Sequence, residues 1–157
     1  MKVASFDIVF QEIPGEVTLA LNLSNCPCHC PGCHSPYLAQ DIGEPLNEEL
    51  LDGLIARYGA MITCVAFMGG DATPEEVAKW AAWIKRAGLK TAWYSGRTSF
   101  PREPRTPSQP SFDYVKLGPY VEALGGLKSP TTNQRLYKRV GDSWEDITSV
   151  FWQKRFE

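Results

Sequence analysis

Apolar residues along this chain keep two different periods, and the points where the period changes mark out its elements. Val3, Phe6, Ile8 and Phe10 alternate loosely over residues 2–10 and predict an edge strand, followed by a turn at Pro14-Gly15. Val17, Leu19, Leu21 and Leu23 then fall at period two, which sends one face of a second strand into a core. Leu50, Leu51, Leu54, Ile55 and Tyr58 recur at helical spacing behind Asn47, a candidate N-cap, and Gly59 is the stop. Residues 62–67 form a short, mostly apolar run ending at Gly69-Gly70, as a strand buried on both faces requires. Thr73-Pro-Glu-Glu76 has the form of a capping box with proline at the first helical position. Val77, Trp80, Ala81, Ile84 and Ala87 make the buried stripe of that helix, and Gly88 ends it. Thr91 to Tyr94 predicts the next strand and closes a βαβ unit, with a right-handed crossover expected.

Past Gly96 the pattern breaks. Pro101, Pro104, Pro107 and Pro110 exclude a continuous helix. Residues 101–110 read as a surface connection, with a lid or docking loop as the functional alternative. Phe112 to Leu117 and Leu136 to Val140 predict two further strands, and Gly118-Pro119, Gly125-Gly126 and Ser129-Pro130 mark turns between them. Asp146 to Trp152 suggests a closing helix or tail. Trp80 and Trp83 read as core or subunit-contact residues.

Length and charge narrow the class. The 157 residues read as a single domain, 1–157, able to build its own core. A net charge of −2 gives no electrostatic case for nucleic acid as the primary partner. No apolar run approaches a membrane span, and no basic-then-apolar signal opens the chain, so a cytoplasmic protein is expected. Four of the five cysteines crowd into one loop, which suits a reducing compartment better than a disulfide framework.

That loop, Cys26-Pro-Cys-His-Cys-Pro-Gly-Cys33 followed by His34, carries the chemistry. Thiolates this close on a proline- and glycine-containing loop have too few apolar neighbours to be packing residues. Three metal readings compete. Tetrahedral zinc can draw four ligands from Cys26, Cys28, Cys30, Cys33 and His34, although the only other histidine, His29, lies in the same loop. A fully ligated iron–sulfur cluster needs Cys28 as its fourth thiolate. The third reading takes Cys26, Cys30 and Cys33 on three irons and leaves the fourth iron open. On spacing alone, zinc and iron–sulfur stand level. Cys64, inside an apolar run, reads as a buried small hydrophobe.

Phe67-Met-Gly-Gly-Asp71 separates these readings. A C-x-x-x-C-x-x-C loop followed by a strand ending in Gly-Gly-acid resembles the radical S-adenosylmethionine superfamily. Cys30-Pro-Gly-Cys-His34, Trp93-Tyr-Ser-Gly96 and Ser129-Pro-Thr-Thr-Asn-Gln-Arg135 make it similar to the activating proteins of anaerobic ribonucleoside-triphosphate reductases within that superfamily. The resemblance implies an α/β fold, a partial (incomplete) β/α barrel of the radical SAM type. The chain is indeed shorter than the roughly 200 residues of a complete barrel. It implies a [4Fe–4S] cluster on Cys26, Cys30 and Cys33, with S-adenosylmethionine chelated to the open iron. The family's reaction is reductive cleavage of that sulfonium to a 5′-deoxyadenosyl radical, which takes hydrogen from a glycine of the partner reductase and leaves a glycyl radical. A one-electron donor, unidentified, is also implied.

Further site residues follow from the same likeness. Gly32, Cys33 and His34 are expected on the adenine side, a loop-stabilising hydrogen bond being the other role open to His34. Gly69 and Gly70 would bring backbone close to the methionine moiety, with Asp71 adding a carboxylate where many members carry glutamate; a plain strand-to-helix turn is the alternative. Ser95 and Gly96 are placed for ribose or carboxylate contacts. Asn133 and Arg135 match the late motif and would reach ligand or partner, or else form a turn. Cys28 has no family role and is either a bystander or a ligand in the absence of substrate. An activase of another glycyl-radical enzyme, a small radical enzyme acting on a metabolite, and a non-catalytic zinc-knuckle module are the competing functions.

Overall fold

The computed structural model describes residues 1–26, 38, 40–101 and 111–152. Its strands are β1 (Lys2–Val9), β2 (Thr18–Leu23), β3 (Glu44–Pro45), β4 (Cys64–Met68), β5 (Lys90–Tyr94), β6 (Tyr114–Leu117), β7 (Arg135–Val140) and β8 (Ser143–Asp146). Two helices, α1 (Glu48–Tyr58) and α2 (Pro74–Lys85), and a closing 3₁₀ turn (Thr148–Trp152) complete the described elements. The strands form one mixed sheet in the order β3-β1-β2-β4-β5-β6-β7-β8. At its centre β2, β4, β5 and β6 run parallel and lie side by side in chain order. Antiparallel strands flank them on both sides.

The expected edge strand is therefore not at the edge. β3 pairs with β1 at Lys2↔Pro45 and Val3↔Glu44, a contact of two residues that no periodicity announces. The segment expected as a closing helix or tail, Asp146 to Trp152, is mostly the 3₁₀ turn Thr148–Trp152, but ahead of it lies an unforeseen strand, β8, a hairpin partner of β7 through Val140↔Ser143. Gly141-Asp142 is the two-residue turn between them.

Helix α1 starts where the Asn47 side chain accepts from the Leu50 N–H at 2.8 Å, with Glu48 and Glu49 in the first turn where the helix dipole favours them. The capping box foreseen for α2 does not form. Thr73 makes no side-chain cap bond, its N–H goes to the Gly70 carbonyl at 3.0 Å, and Glu76 faces the N-terminal ammonium of Met1 at 3.3 Å. The Glu76 N–H in turn goes to the Thr73 carbonyl at 3.1 Å, so neither reciprocal bond of the box is made. Proline at the first helical position still sets the start.

Because successive parallel strands step across the sheet in one direction, crossovers of one hand put both helices on one face. One cluster accordingly gathers Leu51 and Leu54 of α1, Val77, Trp80, Ala81 and Ile84 of α2, and Leu19, Leu21, Leu23, Val65, Phe67, Trp93 and Val115 of the strands. Ala87, expected in the stripe, lies past the helix end and is exposed.

The opposite face is built differently. Ala20, Ala66 and Ala92 sit in register across β2, β4 and β5. Ile13, fully buried in the β1–β2 connection, clusters there with Ala66, Ala92, Tyr114, Leu127 and Leu136. Small side chains in the strands thus leave room for large ones from the loops. Among the described residues, no helix is long and apolar enough to cross a membrane.

Candidate functional site

On the loop-covered face, one sheet row runs Asn22–Met68–Tyr94–Lys116 across β2, β4, β5 and β6. All four line a cavity of about 760 Å³ that opens where the parallel strands end. Leu23, Gly69, Asp71, Gly96 and Gly118 line it from those strand ends, while Gln11, Glu12, Leu127 and Lys128 line it from the two covering connections. Outside the carboxyl ends of parallel strands is where α/β sheets bind ligands. The volume lies within the ~300–1,000 Å³ of small-molecule sites. Burial raises the Tyr94 phenol well above its ordinary range, so the ring stays protonated and donates to the Glu12 carbonyl, tying the β1–β2 connection to the sheet.

The Gly-Gly-Asp turn is built for close approach on one side and for bracing on the other. Gly69 and Gly70 both hold φ in the left-handed region, +103° and +89°. A Cβ on Gly70 would come 2.7 Å from Val77 Cγ2 and 3.0 Å from Leu23 Cδ1, so α2 and β2 close on bare backbone. Gly69 lines the cavity, and its carbonyl accepts from the Trp93 indole at 2.6 Å. Asp71 is buried and accepts from Ser95 Oγ at 2.5 Å and from the Gly96 N–H at 2.9 Å. Arg97 donates to the Asp71 carbonyl at 2.6 Å, and its Nε lies 3.7 Å from Oδ1. Asp71 and Ser95, both expected to face a ligand, are thus bound to each other. Their joint effect is to fix the Gly96 backbone at the cavity edge.

The sequence-expected residues divide accordingly. Cys26, Gly69, Asp71 and Gly96 line the cavity, whereas Gly70 and Ser95 stand behind its wall. Asn133 donates to the Pro119 carbonyl at 3.1 Å, and Arg135 pairs with Asp146 at 3.6 Å and stands over the Trp152 ring. Neither lines the cavity; Gln134, between them, does. Lys116 also escaped the sequence reading. It is buried, donates to the Ser95 carbonyl at 2.9 Å and to the Gly118 carbonyl at 3.0 Å, and lies 5.8 Å from the Tyr94 ring centroid. A lysine at the second-last position of a four-residue strand was the available signal.

Only the ends of the cysteine loop are described. The Cys26 N–H donates to the Leu38 carbonyl at 2.8 Å, and the Asn25 N–H to the Gln40 carbonyl at 3.1 Å, so the two ends are zipped together. Cys26 and Leu38 both line the cavity. Cys28, Cys30, Gly32, Cys33 and His34 lie outside the described residues, as does 102–110 of the proline-rich stretch. Among the described residues no three potential metal-ligating side chains gather. Cys64 is fully buried, and burial with the nearby Glu16 charge pushes its thiol up to about 12, which leaves it inert.

Set against known proteins, the chain matches no family model, and no curated protein or solved structure matches it either.

Proposed function

We propose that this chain is a radical S-adenosylmethionine activase. In this reading it holds a [4Fe–4S] cluster on Cys26, Cys30 and Cys33 and binds S-adenosylmethionine in the 760 Å³ cavity. It uses them to generate a glycyl radical on an anaerobic ribonucleoside-triphosphate reductase. The observation that carries this is a coincidence of place. The zipped base of the cysteine loop and the Gly69-Gly70-Asp71 turn meet at one cavity, at the ends of β2 and β4. Four consecutive parallel strands with both helices on one face support an incomplete β/α barrel as the architecture.

The donor set fits the group. Three thiolates in C-x-x-x-C-x-x-C suit three irons of a cluster, and the first of them, Cys26, faces the cavity. When bound, the cluster supplies the one electron that splits a sulfonium. The chain's own part is positioning. Gly69 and Gly96 offer backbone to a ligand without a Cβ in the way. Asp71 and Ser95 keep the Gly96 edge from shifting. Met68, Tyr94 and Leu127 provide apolar wall.

The test is anaerobic reconstitution followed by assay for 5′-deoxyadenosine. The intact chain is expected to turn brown, bind iron and sulfide, and release 5′-deoxyadenosine on reduction. Cys26→Ala, Cys30→Ala and Cys33→Ala are each expected to abolish release, while Cys28→Ala and Cys64→Ala retain it. A colourless protein with stoichiometric zinc overturns the reading in favour of a zinc knuckle. Formation of a glycyl radical, read by EPR with the reductase, distinguishes this partner from other glycyl-radical enzymes or a metabolite.

A further inference from the structure

Where β2 ends, the chain changes partners within three residues. The Ser24 N–H donates to the Lys2 carbonyl of β1 at 3.1 Å, whereas Asn25 and Cys26 donate to Gln40 and Leu38. The switch occurs at Asn25, which holds φ at +59°, the one positive value outside glycine among the described residues. Asparagine tolerates that region better than most residues, so the backbone alone explains its choice only in part. Its side chain supplies the rest. Asn25 Nδ2 donates to Asp41 Oδ1 at 3.1 Å, and the same oxygen receives Lys2 Nζ at 2.9 Å.

We infer that Lys2, Asp41 and Asn25 form a latch that holds the two ends of the cysteine loop together and sets how tightly that loop retains its metal. The inference rests on the proposed function for the identity of the metal, but not for the existence of the latch. A loop whose ends are already joined loses less chain entropy when its thiolates converge on a metal. Asp41 and Lys2 are solvent-exposed, with 63% and 37% of their side-chain surface open, so the pair adds little to global stability. Its contribution is local: it joins β1, the exit of β2 and the return segment at residue 41. These are positioning residues, since none of them is a ligand.

The experiment measures release of bound metal from the full chain to a chelator, after loading with iron and sulfide or with zinc alone. Asp41→Ala and Asn25→Gly are each expected to speed release about three- to tenfold, the worth of one or two side-chain hydrogen bonds. Their thermal midpoints are expected to stay within about 2 °C of the intact chain. Asp41→Asn keeps an oxygen toward Asn25 and Lys2, so its release rate falls between. Unchanged release from Asp41→Ala, or faster release accompanied by an equal loss of global stability, overturns the latch. A chain that holds zinc but no cluster, with release still faster in Asp41→Ala, sinks the radical reading and leaves the latch standing. A chain that retains neither metal sinks both.

Discussion

Asp71 illustrates how one buried carboxylate at a cavity edge can spend its hydrogen bonds on its own backbone frame. Both its oxygens receive donors from the end of β5, Ser95 Oγ at 2.5 Å and the Gly96 N–H at 2.9 Å. Asp71→Ala leaves those two donors unsatisfied in a buried setting. The expected loss is about 2–3 kcal/mol, measured by urea denaturation. Asp71→Asn can still accept from one of them, so its cost is about 1 kcal/mol. Similar losses in both variants would mean the carboxylate's charge matters more than its geometry. Sequence reading placed Asp71 beside the methionine moiety and Ser95 and Gly96 separately for ribose or carboxylate contacts; in the structure the three meet. It could not tell that they converge on one another, because spacing along a chain does not say which side chains meet across neighbouring strand ends or spend their hydrogen bonds in meeting.

At the level of elements, the junction of β4 and α2 depends on a missing side chain. Gly70→Ala puts a methyl 2.7 Å from Val77 Cγ2 and 3.0 Å from Leu23 Cδ1, at a φ of +89°. Strain in the left-handed region and overpacking together predict a loss of about 2–4 kcal/mol, seen as a lower midpoint in chemical denaturation. Elements of this kind were largely legible in the chain. The period-two run at 17–23, the apolar run at 62–67 and the Asn47 cap all reappear as β2, β4 and the start of α1. What escaped was short or decided by tertiary context. β3 is two residues long, and the Thr73 box makes neither reciprocal bond, with Glu76 turned to Met1. β8 has a hairpin signal in Gly141-Asp142, but its four residues Ser-Trp-Glu-Asp carry one apolar side chain and so no alternating pattern. The cavity row Asn22–Met68–Tyr94–Lys116 was hidden for another reason. Alternation assigns residues to two faces but does not say which face the helices will take.

For the molecule as a whole, the end of the sheet opposite the cavity is closed by a polar network. Burial alone would raise the Glu16 carboxyl, yet hydrogen bonds from Lys90 at 2.6 Å and Thr63 at 2.5 Å outweigh it and hold the carboxyl below its ordinary 4.5. The Tyr114 hydroxyl donates to the same group at 3.2 Å. Lys90 is in turn raised above 10.5 by its bond to Glu16. The carboxylate's contribution is present above pH 4.5 and fades as pH falls through its lowered value. The lysine's is present below 10.5 and fades as pH rises beyond it. Thermal midpoints are therefore expected to plateau between these limits and drop on the acid side. Glu16→Gln is expected to flatten part of that acid drop while costing about 1–3 kcal/mol at neutral pH, since Lys90 and Tyr114 lose a charged acceptor. An acid limb that the substitution leaves untouched would assign the drop to other carboxylates.

The in-register alanines of β2, β4 and β5 carry a further consequence. Two of them, Ala66 and Ala92, make the pleated floor shallow enough for Ile13 to lie on it, with Gln11 and Glu12 lining the cavity from the same connection. One of the two covers of the chamber is therefore a handful of residues joining the first two long strands. Trimming or lengthening that connection would re-gauge what fits inside, and the pleated frame and its helices would not need to be rebuilt.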